Sequence, residues 1–106
     1  MGYVYLIKDE GNDLYKIGVT RNSSFNRLSA LQTGNPSKLS IIYKYKCKYP
    51  FRLETMLHNR FKELKVLNEW YELNPDHVRE FLSVCDKLNN CIQALTENPF
   101  FSKNLT

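Results

Sequence analysis

The stretch "YVYLIKDEGNDLYKIGVT", Tyr3 to Thr20, constrains this chain most. Two runs rich in β-branched and aromatic residues flank "DEGND", Asp9 to Asp13, a cluster of turn formers. The pattern predicts a β-hairpin with a five-residue loop. Side chains alternate across a strand. Val4 and Leu6 therefore share one face of the first strand, and Tyr15, Ile17 and Val19 one face of the second. Tyr3, Tyr5, Lys16 and Gly18 fall on the opposite face. A lysine and a glycine inside a strand, both on the side of two tyrosines, are the unusual feature.

The remaining elements follow from local signals. Asn22, Ser23 or Ser24 can cap a helix that carries Phe25, Leu28 and Leu31, and "TGNP" (Thr33 to Pro36) stops it. Leu39 to Cys47 reads as a third strand with alternating lysines on one side. Pro50 suits the first turn of a second helix, whose apolar stripe is Leu53, Leu57, Phe61 and Leu64. "NEWYEL" (Asn68 to Leu73) is a short extended piece. Asn74-Pro75 caps a third helix over about 75–96, with Val78, Phe81, Leu82, Cys85, Leu88, Ile92 and Leu95 on its apolar side. The order is β-β-α-β-α-(β)-α. The fold expected is a small α+β domain, a three-stranded mainly antiparallel sheet flanked by helices, over residues 1–97. Residues 98–106 form a loose or docking tail with Phe100 and Phe101.

With 106 residues, 42% of them hydrophobic, the chain suits one small core rather than two domains. No apolar run approaches the roughly 20 residues that a membrane span needs. "MGYVYLIK" has no basic region ahead of an apolar stretch, so no signal peptide is expected. Cys47, Cys85 and Cys91 are odd in number and widely spaced, which argues against a disulfide framework or a zinc site and for a reducing intracellular compartment. The formal net charge is +4. Lys38, Lys44, Lys46 and Lys48 cluster around Tyr43, Tyr45 and Tyr49. Such basic residues interleaved with aromatics suit a phosphate backbone, and they also suit a solvated strand face.

Four polar residues stand out. Lys16 either snorkels to solvent or sits in a partly desolvated site where it accepts a proton. Arg27, beside the apolar Leu28, is a surface residue or a planar clamp for phosphate. Glu54 and His58 lie four apart on one face of the second helix. Glu54 is an ordinary helix-surface carboxylate or an oxygen ligand for a hard divalent cation, sensible if substrate phosphate supplies further oxygens. Together, a tyrosine, a lysine, an arginine and a carboxylate are the parts that phosphodiester hydrolysis uses.

In that order the residues resemble the GIY-YIG nuclease family, in its phage- and virus-type branch. "YVY" (Tyr3-Val4-Tyr5) is similar to the first motif and "KIG" (Lys16-Ile17-Gly18) to the second. Arg27 in "NRLSALQTGNP" looks like the helix arginine, Glu54 in "ETMLHNRF" like the metal-binding glutamate, and "EWY" (Glu69-Trp70-Tyr71) like the closing signature. The likeness covers residues 2 to 73. Tyr3 stands where the family name has glycine, and Lys16 where it has tyrosine. The late asparagine of the family has candidates in Asn68 and Asn74. The resemblance implies a metal-dependent endonuclease with one Mg²⁺ or Mn²⁺ on Glu54. Tyr5 would touch the attacking water or the phosphate, and Lys16 would act as base or phosphate contact. Arg27 would clamp the phosphate, with Arg21 as its competitor, and His58 would polarise water or bond a tyrosine. Arg21, Lys38, Lys44, Lys46 and Lys48 would hold nucleic acid: DNA, with RNA left open. No organic cofactor or membrane is implied. Sequence-specific cutting by so small a chain would call for a homodimer; otherwise specificity would be low or structural. The alternative is a DNA-binding or regulatory module of the same fold, weak or inactive in catalysis.

Overall fold

A computed structural model describes residues 1–21 and 31–97. The expected caps Asn22, Ser23 and Ser24, the apolar Phe25 and Leu28, the phosphate clamp Arg27, and the tail phenylalanines Phe100 and Phe101 lie outside the described residues. The strands are β1 (Gly2–Asp9), β2 (Leu14–Thr20), β3 (Leu39–Cys47), β4 (Lys65–Leu67) and β5 (Trp70–Tyr71). Among the described residues the helices are α1 (Pro50–Arg60), a 3-10 turn (Lys62–Leu64) and α2 (Pro75–Glu97), and residues 31–33, in the region of the first expected helix, are also helical. Among the described residues the sheet has five strands, not three, in the order β3-β1-β2-β5-β4, and every pairing is antiparallel.

The hairpin forms as its alternation requires, but its loop is one residue shorter than expected, because Asp9 still pairs with Leu14. Asp9 caps the turn. Its carboxylate accepts from the backbone N–H of Gly11 at 3.0 Å and of Asn12 at 3.2 Å, and from the Asn12 side chain at 2.9 Å. Burial pushes the Asp9 carboxyl up, but these hydrogen bonds outweigh burial and hold it below the usual value.

β3 contains a bulge. Leu6 pairs with Tyr43 and Ile7 with Ile41, so Ile42 has no partner. The extra residue reverses the alternation. Before it, Leu39 and Ile41 join the Tyr5 and Ile7 cluster. After it, Tyr43 and Tyr45 pack toward the main core, and Lys44 and Lys46 lie opposite Tyr5 and Tyr3.

Both sheet faces are covered. The main core joins Val4, Leu6, Tyr15 and Ile17 to Leu53 and Leu57 of α1 and to Phe81, Cys85 and Ile92 of α2. The smaller cluster on the other face holds Tyr5, Ile7 and Leu39, with Leu31 and Trp70 packed against it. Pro50 opens α1 as expected, but α1 stops at Arg60. Leu64 therefore sits in the 3-10 turn rather than on the helix stripe, and Lys65 to Leu67 turn back as a strand. Asn74 caps α2 by accepting from the His77 N–H at 2.8 Å, and His77 Nδ1 accepts from the Asn74 N–H at 3.2 Å. On α2, Leu82 and Leu95 are exposed instead of buried, and Val84 takes a core place that the spacing argument did not assign.

Candidate active site

Tyr5 and Gly18 face each other across β1 and β2. The pairing accounts for the glycine. A Cβ on residue 18 would sit 2.6 Å from Tyr5 Cε1 and closer still to Cζ and Oη. The Tyr5 ring thus occupies the space that a side chain at 18 would need. Tyr5 is 1% exposed, so this position is tightly determined.

The same two residues open into a cleft of about 360 Å³. Its wall includes Tyr5, Gly18, Arg21, Phe51, Glu54 and Glu69. Glu54 reaches it from α1. It does so because β5 pairs with β2 only at Tyr15 and Lys16, which leaves the β2 edge beyond Lys16 open to the helix. Arg21 follows β2 directly and lies over the Phe51 ring, 5.2 Å from its centroid. The structure therefore brings Tyr5, Glu54 and Arg21 together at one cavity. A larger groove of about 790 Å³, bordered by Glu63, Leu64, Lys65 and Glu72, contains of the motif candidates only Asn74, the cap of α2, and offers no comparable convergence.

Lys16 is 8% exposed and does not snorkel. Its ammonium donates to Glu69 Oε2 in an ion pair, and it lies 5.9 Å from the centroid of the Trp70 ring. Trp70 is its cross-strand partner. A buried ammonium needs such compensation. Glu69 sits in a two-residue turn between Leu67 and Trp70. The other turn residue, Asn68, takes a left-handed φ of 53°. Asn68 thus serves the backbone of this turn. Sequence reading treated Glu69 as part of a signature and gave it no role of its own.

His58 is bound through both ring nitrogens. Nε2 lies 3.1 Å from the Ile17 carbonyl, which only accepts, so Nε2 carries the hydrogen. Nδ1 lies 2.8 Å from the Tyr71 hydroxyl, which donates to it in that tautomer. Burial pushes the Tyr71 hydroxyl up from its ordinary value, and the charges of Glu69 and Glu54 add to this, so it stays protonated as a donor. His58 therefore pins α1 to the open edge of β2 and fastens Tyr71. It bonds a tyrosine, one of the two roles expected of it, and is not among the residues lining the cleft.

The lysines divide. Lys44 and Lys46 share the Tyr5 face of the sheet through their pairing with Tyr5 and Tyr3. Lys48 borders a neighbouring surface with Arg21 and Arg52. Lys38 is exposed just before β3. The interleaved aromatics have another use: Tyr43 stacks on Phe81 at 6.1 Å, and the Tyr45 hydroxyl donates to Asp86 at 2.7 Å. Glu54 and Glu69 present carboxylate oxygens to one cavity, and no group of three or more metal-ligating side chains exists among the described residues. That donor set fits a hard divalent cation that keeps several waters and takes phosphate oxygens. No described helix is long and apolar enough to cross a membrane.

A family model described as the T5orf172 domain, a phage-associated domain found in some nucleases, matches residues 2–86. The chain is also similar to "Uncharacterized protein 460R" of Invertebrate iridescent virus 6. The identity is 31%, over 92% of this chain and 46% of that protein, so the chain spans about half the length of this viral relative. No solved structure matches.

Proposed function

We propose a nuclease function for this chain, which belongs to the T5orf172 domain family. The reading is a metal-dependent endonuclease of the GIY-YIG type that hydrolyses phosphodiester bonds of DNA. One observation carries it: Tyr5 and Gly18, the ends of the two strand motifs, line the same cleft as Glu54, a residue from a helix more than thirty positions later.

The roles follow from the chemistry of each group. Glu54 would hold one Mg²⁺ or Mn²⁺, with Glu69 within the same cavity. The bound cation supplies neutralisation of charge on the phosphate and on the departing 3′-oxygen. Tyr5, fixed by Gly18, would orient the attacking water or the scissile phosphate. A guanidinium would clamp the phosphate oxygens: Arg27 by resemblance, or Arg21, which stands at the cleft wall. Lys44 and Lys46 extend positive charge from Tyr5 toward the sheet edge, a track for the nucleic-acid backbone.

A second reading, a binding module of the same fold without turnover, draws support from Lys16. Its ammonium is taken up by Glu69 instead of facing the cavity. A supercoiled-plasmid assay with Mg²⁺, Mn²⁺ or EDTA separates the two. Nicked or linear product that needs metal and disappears in Glu54→Ala establishes the nuclease. Retarded DNA at low salt with no product at any metal concentration establishes the binding module.

A further inference from the structure

Between Lys16 and the cleft stands a carboxylate. Lys16 is packed in the sheet with its side chain 10% exposed, whereas the Glu69 side chain that it pairs with is 51% exposed. Glu69 lines the cavity and Lys16 does not. The lysine is fixed by its neighbours on β2 and β5, so the more exposed Glu69 carboxylate is the partner that an exchange would displace. It stands on a short turn whose strand ends are held by the Lys16–Trp70 and Leu67–Trp70 pairs.

We infer that Glu69 is an internal competitor: in the free protein its carboxylate occupies the place on Lys16 that a substrate phosphate takes when Glu69 moves aside. This rests on the nucleic-acid reading above and adds to it a positioning residue that sets when Lys16 becomes available. The exchange is one anion for another on the same ammonium, with no proton moved and no bond broken. The glutamate side of the pair is half exposed, so an incoming anion can approach from solvent while the lysine stays packed. The reading also explains why a lysine can be buried at this position: it has an anion in both states, a carboxylate before binding and a phosphate after. Trp70, over which the ammonium lies, favours the cation throughout.

The test is binding of a short labelled DNA duplex in EDTA, followed by anisotropy from low to physiological salt, in a Lys16/Glu69 double-mutant cycle. Glu69→Gln is expected to bind about 3- to 10-fold tighter than wild type and to steepen the salt dependence by about one phosphate contact, a slope change near 0.9. Glu72→Gln removes the same charge from a neighbouring position outside the cleft and is expected to change affinity less than twofold. Lys16→Met is expected to weaken binding at least three times more in the Glu69→Gln background than in wild type. Simple long-range attraction would make that loss equal in the two backgrounds. An equal loss, or a Glu69→Gln protein that binds no tighter than wild type, overturns the inference. Glu69→Ala is expected to repeat the result of Glu69→Gln, which guards against an effect of the amide. Cleavage by wild type with no coupling in the cycle leaves the nuclease and removes the competitor. Coupling with no cleavage keeps the competitor and leaves a binding module. Failure of every variant to bind at low salt removes both.

Discussion

Replacing Gly18 by alanine adds one methyl group and tests the geometry of the whole site. In an unobstructed strand the change should stabilise, since glycine interiors cost roughly 0.5–1 kcal/mol relative to alanine. Here the new Cβ meets Tyr5, 2.6 Å from Cε1. Carbon atoms pack best at about 3.5–4.0 Å, so the shortfall is about 1 Å or more. The atoms struck are the far end of a side chain, which would often give way. This ring is rigid and 1% exposed, packed with Ile7 and Leu39, so it can yield only by moving its neighbours. Overpacking of this kind costs about 1–3 kcal/mol. In a domain of this size that lowers Tm by roughly 5–20 °C. Urea or thermal unfolding measures the loss. Tyr5→Leu in the Gly18→Ala background should recover part of it, because the shorter side chain vacates the space. A Gly18→Ala protein as stable as wild type, or more stable, would refute the claim that Tyr5 is why residue 18 is glycine.

Other consequences can be checked separately. His58→Ala strands the Ile17 carbonyl and the Tyr71 hydroxyl and should cost about 1–3 kcal/mol in urea unfolding, whereas Tyr71→Phe, which leaves the Ile17 bond intact, should cost less. The folded-state pKa of Asp9 is depressed, so its contribution to stability is present above the unfolded value of about 3.9 and is lost as pH falls through the lower folded value. Asp9→Asn should flatten the stability–pH curve in that acid range. Cys91 is exposed, and Cys47 and Cys85 are buried. Burial, with smaller effects from Cys47 and Asp86, pushes the Cys85 thiol up to about 12, so a thiol reagent should modify one cysteine rapidly in the native protein and all three in denaturant. Lys44→Ala and Lys46→Ala should each weaken DNA binding uniformly across sequences and lower the salt slope by about 0.9, read by anisotropy.

What the sequence made legible was local. The hairpin follows from alternation on either side of a turn-forming cluster, and α1 and α2 begin where Pro50 and Asn74-Pro75 place them. The shared face of Tyr5, Lys16 and Gly18 needed only the period of a strand. What stayed hidden depends on residues far apart in the chain. The helical stripe runs through Phe61 to Leu64, and nothing local says that the chain leaves the helix to form β4, or that the extended piece at Asn68 to Leu73 joins the sheet as β5. Those strands are too short to show a period of their own. The fate of Lys16 rests on Glu69, 53 positions away, and could not be read before β5 was known to lie beside β2. The aromatics among the β3 lysines looked like part of a nucleic-acid surface. Tyr43 and Tyr45 instead belong to the main core side, and the signal that could have said so was the Ile41-Ile42 doublet, which interrupts the alternation.

That doublet is the one place in β3 where chain length is uncoupled from charge placement. Deleting Ile42 would shorten the strand by one residue and keep every lysine. It would leave Tyr43 beside Leu6 and Lys44 beside Tyr5, so both ammonium groups keep the cleft side and only the kink of the bulge is lost. A deletion inside residues 43 to 46 would instead exchange the sides of lysines and tyrosines, so among natural relatives length changes in this strand should gather at the doublet.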